Sequence, residues 1–172
     1  MINFNSRALT IVEVLIASAI IVIVIAGSLA FYLVARTVWI DCSKRVPLQR
    51  KASLAMEKMV RGINGRYGIR EGRANTLNKV ASDHLEVTVD MDDSPEVEDL
   101  RTISFYKSGS QLIYGLDNSV IVEKVSSLEF NPSDPVGPLT TNIVTINLGM
   151  QDMVRDRPIN VDLQTEVRCR NQ

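Results

Sequence analysis

The chain is poor in the residues that build metal and redox chemistry. It holds one histidine, His84, and two cysteines, Cys42 and Cys169, so no histidine- or cysteine-rich zinc site can be assembled within it. It also lacks a charge of one sign. Its 19 basic and 20 acidic residues leave a net charge of −1, which excludes the strongly basic balance of a general nucleic-acid binder. At 172 residues there is room for one modest domain with an appendage, not for a large multidomain enzyme. No nucleophile–base–acid set stands out. Gly62-x-x-Gly65 follows no strand and is no nucleotide fingerprint. Neither an enzymatic activity nor a cofactor is expected.

What is present is sorted along the chain. Residues 36–73 carry ten basic and three acidic side chains, a net of +7, and residues 83–134 carry three basic and twelve acidic, a net of −9. Almost all continuous hydrophobicity lies between Leu9 and Val34, interrupted by one charge, Glu13.

That run is 26 residues long, about 39 Å as an α-helix, against a bilayer core of about 30 Å. No polar face repeats within it at helical period, so it reads as a spanning helix rather than a buried core helix. A cleavable secretory signal is the competing reading, with Ser28-Leu29-Ala30 ahead of Phe31 as the cut site. The run is longer than the apolar core of about 7–15 residues that such signals use. It also contains a carboxylate, which costs about 2.5–3.5 kcal/mol at a bilayer centre and somewhat less near an interface. An intramembrane carboxylate calls for a cationic partner, and none lies within Leu9–Val34. A cut between Ala8 and Leu9 would create one: the new α-amino group on Leu9 sits at i−4 to Glu13, one turn away on the same face.

Arg7-Ala8 followed by Leu9-Thr10-Ile11-Val12-Glu13-Val14-Leu15-Ile16-Ala17 resembles the N-terminal motif of type IV prepilins and type II secretion pseudopilins. That motif is a short basic leader, a small residue, the cut, a hydrophobic residue, Thr, two aliphatics, Glu, then an unbroken apolar helix. Gly before the cut and Phe or Met after it are usual in the family; Ala8 and Leu9 stand there in this chain. The resemblance implies cleavage after Ala8 by a prepilin peptidase and N-methylation of Leu9. It implies that Glu13 neutralises the terminal amine of a neighbouring subunit during assembly. It further implies other pilin or pseudopilin subunits, an inner-membrane assembly platform and membrane lipid as partners. Arg7 flanks one side of the span, and Arg36, Lys44 and Arg45 the other, so charge alone does not orient it. The resemblance puts the leader in the cytoplasm and the bulk of the chain outside the inner membrane, in the periplasm.

Past the membrane, Val38, Cys42, Val46, Ala52, Met56, Met59, Val60 and Ile63 keep near helical spacing. Pro47 should kink or restart this helix, and Gly62, Gly65 and Gly68 should end it. The expected product is one helix of about 50 residues, about 80 Å long. Strands are expected at Leu85–Val89, Thr102–Tyr106, Gln111–Leu116, Val120–Val125, Ile143–Leu148 and Ile159–Cys169. Lys107-Ser108-Gly109-Ser110 reads as a hairpin turn, and residues 131–138, with three prolines, as a loop. With no helical pattern between the strands, an antiparallel meander follows, its apolar face covered by the amphipathic half-helix. The fold class is therefore α+β, divided into a leader at 1–8, a transmembrane half-helix at 9–35 and an extracytoplasmic domain at 36–172.

The order of elements also resembles the minor members of the pilin family, J-class pseudopilins and similar minor pilins. The carrying stretches are Leu54–Arg61, Ile103–Tyr106 with Leu112–Tyr114, Val125–Phe130 and Thr165–Asn171. The alternative is a bitopic membrane protein with an extracytoplasmic binding or sensor domain and an uncut N-terminus.

Four constellations remain. Cys42 lies on the apolar stripe of the helix, and Cys169 shares a strand face with Leu163, Thr165 and Val167. They are either a disulfide, which an extracytoplasmic site permits, or two small buried hydrophobes. Asp90, Asp92, Asp93, Glu96, Glu98 and Asp99 lack EF-hand spacing and read as a solvated connector, with Asp90, Asp92 and Asp93 as weak metal candidates and the net-positive 36–73 region of an adjacent subunit as the electrostatic alternative. Arg61, Arg66, Arg70 and Arg73 near Tyr67 form a basic, glycine-punctuated segment that could meet phosphate, but a helix C-terminus attracting cations explains at least Arg61 more simply. His84 precedes a strand and reads as structural.

Overall fold

The computed structural model describes residues 10–63, 65–73, 76–91, 99–131 and 133–169. The chain is α+β: one long N-terminal helix, α1 (Ile11–Arg61), packed on antiparallel β-sheets. It divides into two units, Met1–Cys42 and Ser43–Gln172.

The first unit is the apolar part of α1. Its best 18-residue window has a mean hydropathy of 2.8 and none of it is buried. Ile20-Ile21-Val22-Ile23-Val24-Ile25 is a run of β-branched residues that favours strand in water. It is nonetheless helical, the state in which every backbone group is bonded within its own segment, as hydrocarbon demands. The hydroxyls follow the same rule: Ser18 donates to the Leu15 carbonyl, Ser28 to Val24 and Thr37 to Val34, at 2.7–2.9 Å.

In the second unit α1 buries Leu48, Ala52, Ala55, Met56 and Met59, a 4-3-1-3 spacing that makes one stripe. The stripe begins later than the sequence pattern places it. Val38, Cys42 and Val46 are exposed, whereas Leu48 and Ala55 join the core. Pro47 does not break the helix either. It stands immediately before Leu48, the first anchored residue, and burial of the stripe outweighs the missing N–H. The helix stops at Gly62, whose φ of +83° suits a left-handed cap and whose N–H donates to the Lys58 carbonyl at 2.8 Å. Gly68 passes so close that a methyl group there would strike the Gly62 nitrogen and the Val60 carbonyl.

A 3-10 turn at Ile69–Glu71 leads, among the described residues, to nine strands: β1 Asn78–Ala81, β2 His84–Asp90, β3 Leu100–Ser108, β4 Gln111–Tyr114, β5 Ser119–Glu123, β6 Val125–Phe130, β7 Gly137–Pro138, β8 Ile143–Val154 and β9 Arg157–Arg168. They form not one meander but two sheets, ordered β5-β4-β3-β2-β1-β7 and β6-β8-β9. The expected strand Val120–Val125 is divided between them. Lys124 takes a φ of +68°, which ends β5 in the larger sheet and starts β6 in the smaller. Its ammonium is held 2.7 Å from Asp152. The Gly109-Ser110 hairpin turn forms as expected, with Ser108 opposite Gln111. The 131–138 loop contributes only the two-residue edge strand β7, where Pro138 is tolerated.

Both sheets and the helix stripe share one core. Phe105, Phe130, Met59 and Ile69 are its largest fully buried side chains, and Phe105 lies 5.4 Å from Tyr114, ring to ring.

Candidate functional site

Helix α1 opens on a reciprocal cap. The Glu13 carboxylate accepts the Thr10 backbone N–H at 2.9 Å and the Thr10 hydroxyl at 3.1 Å. The Glu13 N–H in turn donates to the Thr10 hydroxyl at 3.3 Å. This is a capping box, Thr-x-x-Glu ahead of an apolar run, which satisfies donors that the first turn would otherwise leave orphaned. The Thr-x-x-Glu spacing was available in the sequence as a cap signal and gives Glu13 a structural role. The expected cut site Ala8–Leu9, with Arg7, lies outside the described residues.

Beyond the cap, the helix offers a lipid-compatible surface and then an aromatic edge. Phe31, Tyr32 and Trp39 are all exposed, Trp39 by 76%, and Arg36 sits among them. Aromatic and basic residues favour the headgroup level of a bilayer. One segment of α1 is thus long and apolar enough to cross a membrane.

The two cysteines are both free. Cys42 is exposed rather than core-facing, and Cys169 is buried with its thiol donating to the Ile69 carbonyl at 3.2 Å. Burial pushes the Cys169 thiol above its usual range. Cys42 closes the first unit and Cys169 belongs to the second.

Of the acidic connector, Asp92, Asp93, Glu96 and Glu98 lie outside the described residues. Asp90 is 3.8 Å from the Arg73 guanidinium and Asp99 is 3.4 Å from Arg101. Among the described residues no three His, Cys, Asp or Glu side chains converge to hold a metal ion. Arg61 pairs with Glu57 at 3.3 Å, one helical turn back. His84 faces the Tyr106 ring at 5.3 Å and approaches Glu86 to 4.0 Å, contacts that suit the structural role expected of it.

One buried polar cluster had no counterpart in the sequence reading. Lys79 is only 4% exposed, and its ammonium donates to the carbonyls of Asn131 at 2.8 Å and Asp134 at 2.7 Å. Asn131, also buried, takes a φ of +41°. Its amide donates to Asp134 at 2.9 Å, and its side-chain oxygen accepts the Thr145 N–H. The cluster ties β1 of the larger sheet to the loop after β6 of the smaller one.

Two depressions mark the surface of the second unit. One, of about 460 Å³, lies between Val60, Arg70 and residues 165–169 of β9 and its end. The other, of about 370 Å³, opens on the outer face of the three-stranded sheet around Gly149. Compared with protein-family models, with curated proteins and with solved structures, the chain gives no match.

Proposed function

We propose that the chain is the precursor of a minor pilin or pseudopilin, a structural subunit of a type IV pilus or type II secretion pseudopilus. The observation that carries this reading is Glu13. It is an acid at the head of a helix segment with a mean hydropathy of 2.8 and no burial within its own chain, one turn after the Ala8–Leu9 junction. A prepilin peptidase cuts between Ala8 and Leu9, and Leu9 is N-methylated. Residues 9–35 hold the subunit in the inner membrane, with residues 36–172 on the periplasmic side, until it is handed through the assembly platform into a filament. There Glu13 meets the Leu9 amine of a neighbour and sets the axial register. The subunit has no catalytic role and takes no nucleic acid.

Intact-mass analysis of the native protein tests this: the mature chain is expected to start at a methylated Leu9. A native chain starting at Met1 or at Phe31 overturns it. A second reading, an uncut single-pass anchor carrying a binding or sensor domain, is favoured by one observation. Thr10 already engages Glu13 within the same helix, so the carboxylate has a structural use without any new amine. An intact Met1 is the outcome this reading requires.

A further inference from the structure

The second unit carries two surfaces of opposite character on opposite sides of its core. On α1, Leu54 is 49% exposed. Arg50, Lys51, Lys58 and Arg61 lie at i−4, i−3, i+4 and i+7 from it, with the acid Glu57 at i+3, positions that share a helix face, so the face carries a net positive charge. Only Arg61 of these pairs with a carboxylate among the described residues. This face points away from the buried stripe Leu48–Met59 and so away from the sheets.

The outer face of the β6-β8-β9 sheet is the reverse. Its rows run Ser127–Gly149–Asp162 and Glu129–Asn147–Gln164. Neither row contains a basic residue, and Arg168 stands at the far end, opposite Ile143. Gly149 leaves the depression at its centre. A methyl group on Gly149 would press on the Ser126 and Ser127 hydroxyls and on Asp162 Oδ1. The lining of Ser127, Asn147, Asp162 and Gln164 offers hydroxyl, amide and carboxylate acceptors, which suit a guanidinium or ammonium donor.

We infer that the Gly149 depression receives a basic side chain, Arg50 or Lys58, from the α1 face of a second copy of this chain. The two surfaces lie on opposite sides of one core, so a copy cannot satisfy both itself. The contact is heterologous, and such contacts propagate into open assemblies when the rotation does not close. Charge sets the register across the contact, while Leu54 supplies an apolar centre. The assignment rests on the subunit reading above and adds the contact surface to it.

The test uses the full-length chain in membranes with Cys42→Ser, plus Ser53→Cys, at an exposed helix position beside Leu54, and Gln164→Cys together, treated with a short bis-maleimide. A ladder of linked dimers, trimers and higher species is expected, absent when either new cysteine is introduced alone. Asp162→Arg should lower the linked product about tenfold, and Arg50→Glu with Lys58→Glu in the same chain should restore it. Absence of the ladder from the double-cysteine chain overturns the assignment. If multimers still form, as seen by native size separation, the subunit reading survives without this contact; if none form, both fall.

Discussion

The Lys79 ammonium lies 2.8 Å from the main-chain carbonyl of Asn131, a residue 52 positions later in the chain. A second carbonyl, that of Asp134, is 2.7 Å away. With the positive φ of Asn131, this places a charged side chain at a buried position, at the seam between the two sheets. Lys79→Met removes the donor and leaves two acceptors facing an apolar chain. The expected loss is about 1–3 kcal/mol, measured by denaturant unfolding of the full-length chain in detergent.

The capping box separates the two roles of Glu13. Thr10→Ala removes the hydroxyl and should cost about 1 kcal/mol of local helix stability, while leaving the carboxylate in place. Glu13→Ala removes both the cap and the acid. Both variants are expected to insert in the membrane, but only Glu13→Ala should abolish incorporation into filaments, measured by shearing and quantifying the released polymer. Equal incorporation of the two variants would refute the pairing role.

Maturation has its own expected signature. Ala8→Arg places a long charged side chain at the proposed cut and should leave an unprocessed chain beginning at Met1, read by intact mass. Processing at the normal rate would show that residue 8 is not the site.

The thiols should respond unequally. Cys42 is exposed, whereas Cys169 is buried, hydrogen-bonded to Ile69 and shifted upward, so less of it is thiolate. A water-soluble maleimide is expected to label Cys42 of the folded chain and to reach Cys169 only after unfolding. Labelling of both at equal rates in the folded chain would contradict the placement of Cys169.

The Lys124–Asp152 pair predicts an acid limb. The Lys124 ammonium beside Asp152, together with the Met153 N–H, holds the Asp152 carboxyl below its usual range. A depressed folded-state value contributes stability above the unfolded value and loses it as the pH falls through the folded one. Melting temperatures of the native chain and of Asp152→Asn should therefore differ at neutral pH and converge below about pH 4. Parallel curves would exclude the linkage.

These residues also mark what could be read in advance. The β2 strand was legible because Leu85, Val87 and Val89 alternate with polar neighbours and are all buried, as period two dictates. The hairpin at Gly109 was legible because its turn needs a residue free to take a positive φ, and glycine stands there. The division at Lys124 was not. Val120-Ile121-Val122 and Val125 form a run of strand formers, and a lysine in the left-handed region carries no turn signature. The helix of about 50 residues was legible through Pro47, because the propensity cost of proline is local while Leu48 and Ala52 anchor the helix through tertiary contacts. Asn78–Ala81 was missed because only Lys79 in it is buried, and lysine is the residue least expected inside.

The near contact of Gly62 with Gly68 has a mechanical meaning. A tensile load applied along the helix axis would enter the second unit first through the buried stripe Leu48–Met59 and then, past Arg61, through this crossing, where two backbones touch with no side chain between them. Such a joint has little compliance. Alanine at Gly68 would wedge it apart, so that the buried stripe alone would pass a tug on the helix to the folded body.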